Sequence, residues 1–111
     1  MSHFSQLPDF EKELEKLSKK YSSLYDDLEK FEKLLEINAT GFGKNFTIIH
    51  HTPEVKIIKA RLACKSLRDR SIRIIYAFHN SSVTFVYIEM YFKGDKDNED
   101  RERIKEYLKR L

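Results

Sequence analysis

The chain of 111 residues contains one cysteine, no tryptophan, three glycines and two prolines. A single cysteine, Cys64, excludes an intramolecular disulfide and is typical of a protein from a reducing compartment. No apolar run approaches the ~18 residues of a membrane-spanning helix, and the N-terminal MSHFSQLPDF lacks the pattern of a secretion signal. With 41% hydrophobic and 13% aromatic residues, the composition excludes a linker or a disordered tail. We therefore expect one ordered domain, residues 1–111, located in the cytoplasm.

The net charge of +3 is unevenly distributed along the chain. Residues 1–45 carry a charge of −2, residues 46–93 carry +5, and residues 94–111 carry 0. The positive excess thus lies in one stretch, which suggests an anionic partner for that part of the molecule. The alternative is that these lysines and arginines only solvate an exposed surface. Charge alone does not decide between the two.

Three runs rich in β-branched and aromatic residues lie between Val55 and Lys93, as in consecutive antiparallel strands. Side chains of a strand alternate between the two faces of a sheet, so each run divides into two sets. One set is apolar and consists of Ile58, Ala60, Leu62, Cys64, Ile72, Ile74, Tyr76, Phe78, Val86, Ile88, Met90 and Phe92. The polar members of the other set are Lys59, Arg61, Lys65, Arg73, His79, Tyr87, Glu89, Tyr91 and Lys93.

Helices are predicted on both sides of this stretch. Apolar residues recur at helical spacing from Phe10 to Tyr21 and from Leu24 to Leu35, which predicts an αα-hairpin. The turn formers at residues 38–45, with Gly41 and Gly43, end the second helix, and residues 46–50 form a short strand. A last stripe from Ile104 to Leu111 predicts a short terminal helix. The predicted fold is α+β, an N-terminal αα-hairpin packed on a three- to four-stranded antiparallel sheet with a short C-terminal helix. All helices are expected on the apolar face.

Several segments in this order resemble the RelE/ParE superfamily of toxins from type II toxin–antitoxin pairs. They are the K-A-R-L of residues 59–62, the S-I-R-I-I-Y-A of residues 71–77 and the YFKGDKDNEDRERIK of residues 91–105. RelE-type members cleave messenger RNA in the ribosomal A site, and ParE-type members act on DNA gyrase. Both types are held inactive by a cognate antitoxin protein. By this resemblance Lys59 and Arg61 match the paired basic residues of the family, and Arg73 matches the arginine that contacts the scissile phosphate.

The chemistry of RNA cleavage suits these three cations. Attack by the 2′-hydroxyl builds a pentacoordinate phosphate dianion, and guanidinium groups stabilise such charge because they offer paired donors and stay protonated. Lys59 and Arg61 are two residues apart on one strand and so project from the same face, about 7 Å from each other. Arg73 belongs to the same face of the next strand. We expect the three to form the catalytic centre.

Further candidates lie around this centre. Tyr91 and Glu89 are added to the predicted catalytic residues, with Glu89 either a general base or an ion-pair partner of Arg73. Tyr87 and Tyr91 could stack on RNA bases. The remaining predicted RNA-binding residues are Lys65, Arg68, Arg70, Lys93 and Lys96. The catalytic tyrosine that the family places near its C-terminus has no clear counterpart, since Tyr107 lies inside the last predicted helix.

No metal or cofactor is expected. His50 and His51 are adjacent and project from opposite faces of a strand, which does not suit chelation of one ion, and Cys64 falls on the apolar face. The resemblance therefore implies a metal-independent endoribonuclease that cleaves mRNA, with ribosome dependence expected for a RelE-type member. Its partners would be the ribosome, mRNA and an antitoxin. The alternatives are a ParE-like gyrase inhibitor, a degenerate member that only binds its antitoxin, or a sheet that binds single-stranded RNA without cleaving it.

Overall fold

The computed structural model describes residues 3–40 and 43–111, in which five strands form one mixed sheet with three helices packed on it. The predicted turn residues Gly41 and Phe42 lie outside the described part. The elements are β1 (His3–Gln6), α1 (Pro8–Lys20), α2 (Leu24–Ile37), β2 (Phe46–His51), β3 (Val55–Cys64), β4 (Asp69–His79), β5 (Thr84–Phe92) and α3 (Arg101–Lys109). The predicted α+β class is confirmed, with one strand more than predicted.

The first two helices form as their sequence predicts. Pro8 opens α1, where its missing N–H is not needed, and acidic and basic residues occupy the first and last turns as the helix dipole favours. The apolar stripes of α1 and α2 are buried. Ser23 precedes α2, but its hydroxyl donates to the carboxylate of Asp27 instead of capping the backbone. Ser23 and Ser66 also bond each other, which fixes the start of α2 to the β3–β4 turn.

The sheet has the strand order β1-β5-β4-β3-β2. Strands β2 to β5 pair antiparallel with their neighbours, as predicted, whereas β1 pairs parallel with β5. The predicted sheet did not include β1, because four residues are too few to show an alternating pattern. The ring of Phe4 stacks on Phe85 with centroids 4.7 Å apart, which anchors β1 at the edge of the sheet.

A β-bulge in β5 changes which residues face which side. Tyr76 pairs with Tyr87 and Ile75 pairs with Glu89, so Ile88 is an extra residue on β5. Before the bulge, Phe85 and Tyr87 face α1 and α2, which is opposite to the prediction. After the bulge, alternation resumes, with Met90 facing α1 and α2 and Glu89 on the opposite face. The predicted position of Tyr87 on the polar face is therefore wrong, because strict alternation does not hold across a bulge.

Apolar residues are buried on both faces of the sheet. The larger core lies between the sheet and the pair α1–α2. A second core lies on the opposite face, where α3 contributes Ile104; its buried strand residues are Val55, Ile57, Ile75, Ala77 and Ile88. The expectation that all helices cover one face is thus wrong for α3, since the interior of β3, β4 and β5 is apolar on both faces here and needs a cover on each. The end of this second face beyond α3 stays uncovered and holds the candidate site.

Arg103 ties α3 to the rest of the molecule. Its guanidinium donates to both carboxylate oxygens of Glu13 on α1, each at 2.9 Å, and to the carbonyl of Ile88. Glu13 also accepts the backbone N–H of Met90 at 3.1 Å. The two side chains thereby satisfy backbone groups of β5 beyond the end of β1, where no neighbouring strand pairs with it. Within residues 3–40 and 43–111, no helix is both long and apolar enough to cross a bilayer.

Candidate functional site

The uncovered end of the second face is built from the paired strands β3 and β4. Arg61 and Arg73 are direct partners in the antiparallel register, and Tyr91 of β5 is the next residue across. One row further along, Lys59 is opposite Ile75. Regular alternation along β3 thus places Lys59 and Arg61 on the same face, and the register adds Arg73 beside them. The three predicted cations do share one surface.

These cations line a cavity of about 250 Å³. The loop before β2, the strands β2, β3 and β4, and the segment between β5 and α3 all contribute to it. Its described lining consists of Lys44, Asn45, Thr47, Ile49, Lys59, Arg61, Arg73, Lys93, Asn98, Glu99 and Arg101. Six of these side chains are cations and one is a carboxylate, so the cavity suits an anion.

Arg73 is the most deeply placed cation of the cavity, with 9% of its surface exposed. Its Nη1 donates to the carbonyl of Arg70, which fixes the guanidinium. Burial, followed by the charge of Arg61, lowers the pKa of Arg73 from its usual range. Within the described residues, neither Arg61 nor Arg73 forms an ion pair with a carboxylate. The carboxylate of Asp69 acts on Arg73 only through its charge, without a direct ion pair. The two adjacent guanidinium groups can therefore bind an anion from outside the chain.

Lys59 already has an anionic neighbour. Its ammonium donates to Glu99 Oε1 at 3.0 Å, and the Glu99 side chain is only 6% exposed. Arg101 Nε lies 3.6 Å from the other oxygen. Burial, the largest single effect, lowers the pKa of Lys59, but the hydrogen bond to Glu99 together with the charges and hydrogen bonding of Tyr91 and Glu99 outweighs burial, and the pKa is raised. Burial raises the pKa of Glu99. The hydrogen bonds from its own backbone N–H and from Lys59, together with the positive charges of Lys59 and Arg101, outweigh burial and lower the pKa.

Glu89 does not pair with Arg73, the partner considered for it. Its side chain is 1% exposed and lies outside the cavity lining. One oxygen accepts from the ammonium of Lys96 and the other accepts the backbone N–H of Asp100 at 2.8 Å. The predicted pairing of Glu89 with Arg73 is therefore wrong. Both oxygens are occupied by groups that hold the loop before α3, which is a structural role.

The predicted tyrosines are buried instead of presented to a base. Tyr87 lies in the larger core, where its ring stacks on Phe10 at 4.9 Å, so the prediction that it binds RNA is wrong. Tyr91 is beneath the site with 5% of its surface exposed, and the Lys96 ammonium lies 5.3 Å from its ring centroid. Burial raises the pKa of Tyr91 more than the positive charge of Lys59 lowers it. At neutral pH the Tyr91 hydroxyl is therefore protonated.

The other predicted RNA-binding residues fall in three places. Lys93 lines the cavity. Lys96 is engaged by Glu89 and Tyr91 and is not available in this arrangement. Lys65, Arg68 and Arg70 belong to the end of the β3–β4 hairpin and line a second, larger groove of about 710 Å³ between that hairpin and α2. Arg61 and Asn45 line both spaces, so Arg61 stands between the groove and the cavity.

Glu99 and Arg101 are site residues that the sequence did not reveal. Glu99 comes from the irregular segment between β5 and α3, in which no periodicity fixes where a side chain points, and Arg101 is the first residue of α3. Glu99 directly precedes the N-cap of α3, Asp100, whose side chain accepts the N–H of Arg103. Lys44 and Asn98 were missed for the same reason. No group of three or more metal-ligating side chains occurs in the part of the chain that the structure describes.

Comparison with known proteins adds one finding on the fold. The chain is similar to a chain of the crystal structure of the archaeal RelE-RelB complex from Pyrococcus horikoshii OT3, with a TM-score of 0.64 and 17% sequence identity. The match covers 84% of this chain and 96% of that chain. No family model matches the sequence, and no curated protein matches it significantly. The expectation of a RelE-like fold is confirmed; at this identity the likeness concerns the fold alone.

Proposed function

We propose that this chain is the toxin of a toxin–antitoxin pair and that it is a metal-independent endoribonuclease acting on messenger RNA in the cytoplasm, at the ribosome. The observation that carries the proposal is the opposed pair Arg61–Arg73 in a cavity that also holds Lys59. Two guanidinium groups without a carboxylate ion pair, one of them held by the carbonyl of Arg70, suit a phosphate whose negative charge grows during reaction. The RelE-like fold supports the same proposal.

The cations have separate tasks in this reaction. Arg73, buried and held by the carbonyl of Arg70, stabilises the dianionic phosphorane, because it cannot move away as charge develops. Arg61, which is more exposed, binds the phosphate together with Arg73. Lys59, on the same side, contacts the departing oxygen. A 1 Å displacement of such groups is enough to slow a reaction strongly, so the ion pair that holds Lys59 contributes to the geometry.

An acidic protein partner is part of the proposal. The RelE of the similar structure is found in complex with RelB. In this chain, the groove between α2 and the β3–β4 hairpin has apolar walls from Phe31 and Leu62 and a basic rim from Lys65 and Arg68. An antitoxin with acidic and apolar side chains fits that combination. Its binding beside Arg61 would keep RNA from the cavity.

The proposal is tested by controlled expression of the wild type beside Arg73→Ala and Arg61→Ala. We expect growth arrest with truncated transcripts for the wild type, and a loss of cleavage of about 100- to 1,000-fold for Arg73→Ala. Lys105→Ala, an exposed change on α3, is the matched control and should cleave normally. Arrest with intact transcripts and broken DNA would instead indicate a gyrase inhibitor. If the wild type causes neither growth arrest nor truncated transcripts, the chain only binds its antitoxin. Either of these two alternative outcomes would refute the proposed nuclease.

A further inference from the structure

The cation cavity contains one group that can accept a proton at neutral pH. Cleavage by the 2′-hydroxyl requires that this hydroxyl lose its proton. The guanidinium groups of Arg61 and Arg73 stay protonated, the ammonium of Lys59 is held protonated by Glu99, and the hydroxyl of Tyr91 is protonated. Glu99 is the single carboxylate in the described lining.

Other bases near the sheet do not reach the cavity. Glu89 has both oxygens occupied by Lys96 and the N–H of Asp100. His50 and His51, at the end of β2, do not belong to the described lining. Glu99, in contrast, accepts from Lys59 with one oxygen, and Arg101 Nε lies 3.6 Å from the other, which is too far for a hydrogen bond. Besides Lys59, its carboxylate accepts only its own backbone N–H among the described residues, so it can accept a further hydrogen bond.

We propose that Glu99 is the catalytic base, taking the proton of the attacking 2′-hydroxyl while Lys59 serves as the acid for the leaving group. This inference rests on the proposed function. Glu99 faces the attacking oxygen, and Arg61 and Arg73 hold the phosphate between them. A base and an acid on two neighbouring side chains of one cavity suit a reaction that moves one proton from one oxygen to another.

The step balances within this pair. The proton of the 2′-hydroxyl passes to Glu99, the 2′-oxygen forms a bond to phosphorus, and the bond from phosphorus to the 5′-oxygen breaks. The 5′-oxygen leaves with the electron pair and takes a proton from the Lys59 ammonium. The products are a 2′,3′-cyclic phosphate and a 5′-hydroxyl. The proton on Glu99 then passes to the Lys59 amine across their 3.0 Å hydrogen bond, which restores both groups.

The charges around Glu99 determine its pH range. Lys59 faces it from β3 and Arg101 from the start of α3, and further cations of the same cavity are Arg61, Arg73, Lys44 and Lys93. The phenol of Tyr91 adjoins Lys59 and Glu99 from β5. Since positive charges dominate, the carboxylate remains ionised through the neutral range and the cleavage rate should not change with pH there.

The test compares the wild type with Glu99→Gln on a short 5′-labelled messenger RNA, both free and bound to ribosomes. Glutamine keeps the size and can still accept from Lys59, but it cannot take the proton. We expect single-turnover cleavage to fall about 100- to 10,000-fold. RNA affinity should stay the same or increase, because a negative charge has been removed from the cavity. Glu99→Asp keeps the carboxylate and should recover part of the rate, and Glu102→Gln, on the exposed side of α3, should match the wild type.

The pH profile separates a base from a structural residue. Between roughly pH 6 and 8 the wild-type rate should be flat, whereas the Glu99→Gln rate should rise about tenfold per pH unit as hydroxide replaces the missing base. Wild-type cleavage together with equal rates for Glu99→Gln would overturn this inference and leave the nuclease standing. If Glu99→Gln and Glu99→Asp both lose RNA affinity, folded structure and cleavage rate to the same extent, Glu99 has a structural role and the inference is overturned. A wild type that binds RNA without cleaving it would refute the proposed function and the inference together.

Discussion

Arg103 of α3 and Glu13 of α1 form a bidentate ion pair at the edge of the sheet, although the two helices lie on opposite faces of it. The side chains are 19% and 26% exposed, so solvent screens the pair only in part. Each also bonds a backbone group of β5, at Ile88 and at Met90. The pair therefore connects both helical layers to one strand.

Replacing Arg103 by leucine is expected to destabilise the protein by about 2–3 kcal/mol. The change leaves the carbonyl of Ile88 without its donor and Glu13 without its partner, and lost hydrogen bonds to charged groups have this magnitude. Urea unfolding followed by far-ultraviolet circular dichroism measures the difference. Arg101→Leu, on the same helix but 79% exposed, should change the unfolding free energy by less than about 0.5 kcal/mol. Equal losses for both variants would contradict the role assigned to the pair.

The opposed cations Arg61 and Arg73 should reduce stability. Like charges directly across two strands are unfavourable, and Arg73 is largely desolvated. Arg73→Met is therefore expected to raise the unfolding free energy by roughly up to 1 kcal/mol at low salt, while it removes RNA cleavage. The gain should shrink at 1 M salt, where repulsion is screened. A stability loss for Arg73→Met that does not depend on salt would show that the two charges do not repel each other appreciably.

The ion pair Lys59–Glu99 should make the protein sensitive to acid. The pKa of Glu99 is lower in the folded than in the unfolded chain, so its contribution is present above the unfolded value of 4.5 and is lost as the pH falls below it. The pKa of Lys59 is raised, so its contribution persists up to pH 10.5 and is lost as the pH rises further. The difference in unfolding free energy between the wild type and Glu99→Gln should thus be constant between pH 6 and 9 and should decrease below pH 4.5. If the difference in unfolding free energy is the same at pH 3 as at pH 7, the Lys59–Glu99 ion pair does not stabilise the protein.

His79 should make the folding stability depend on pH in a range nearer to neutrality than the range set by Glu99. Its ring nitrogen Nε2 and the hydroxyl of Tyr107 bond each other between β4 and α3, and burial lowers the pKa of His79 from 6.5. Because the unfolded chain binds the proton more readily, the stability that comes from this residue is lost as the pH falls through 6.5. Unfolding curves between pH 7.5 and 5 should show this loss in the wild type and a smaller one in His79→Gln. His50→Gln, an exposed histidine of β2, is the matched control and should behave as the wild type.

Tyr87 provides a test of the corrected strand geometry. Because the side chain is buried against Phe10, Tyr87→Phe should leave RNA cleavage at the wild-type level and change the unfolding free energy by less than about 1 kcal/mol. Tyr87→Ala should instead cost about 3–5 kcal/mol through the cavity it leaves. Cleavage and denaturation by urea are measured on the same preparations. A tenfold loss of cleavage in Tyr87→Phe would return the residue to the functional site.

The sequence-based predictions were accurate where a segment has a regular periodic pattern and inaccurate where it does not. The stripes of α1 and α2 predicted those helices and their buried residues, and the alternation of β3 and β4 placed Lys59, Arg61 and Arg73 together. Prediction failed at β5, where one inserted residue exchanged the faces of Tyr87 and its neighbours. It also failed between β5 and α3, because loop side chains such as Glu99 are positioned by tertiary contacts and not by a local period.

The inserted residue Ile88 has a consequence for the electric field at the site. It and Glu89 are consecutive, yet both belong to the face that carries α3, one buried against Ile104 and the next bonded to Lys96. An apolar side chain and an ion-paired side chain are therefore adjacent on this face, separated by a single peptide unit. The apolar cluster that contains Ile88 is weakly polarisable, so it attenuates the charges of the neighbouring ion pairs less than open water would.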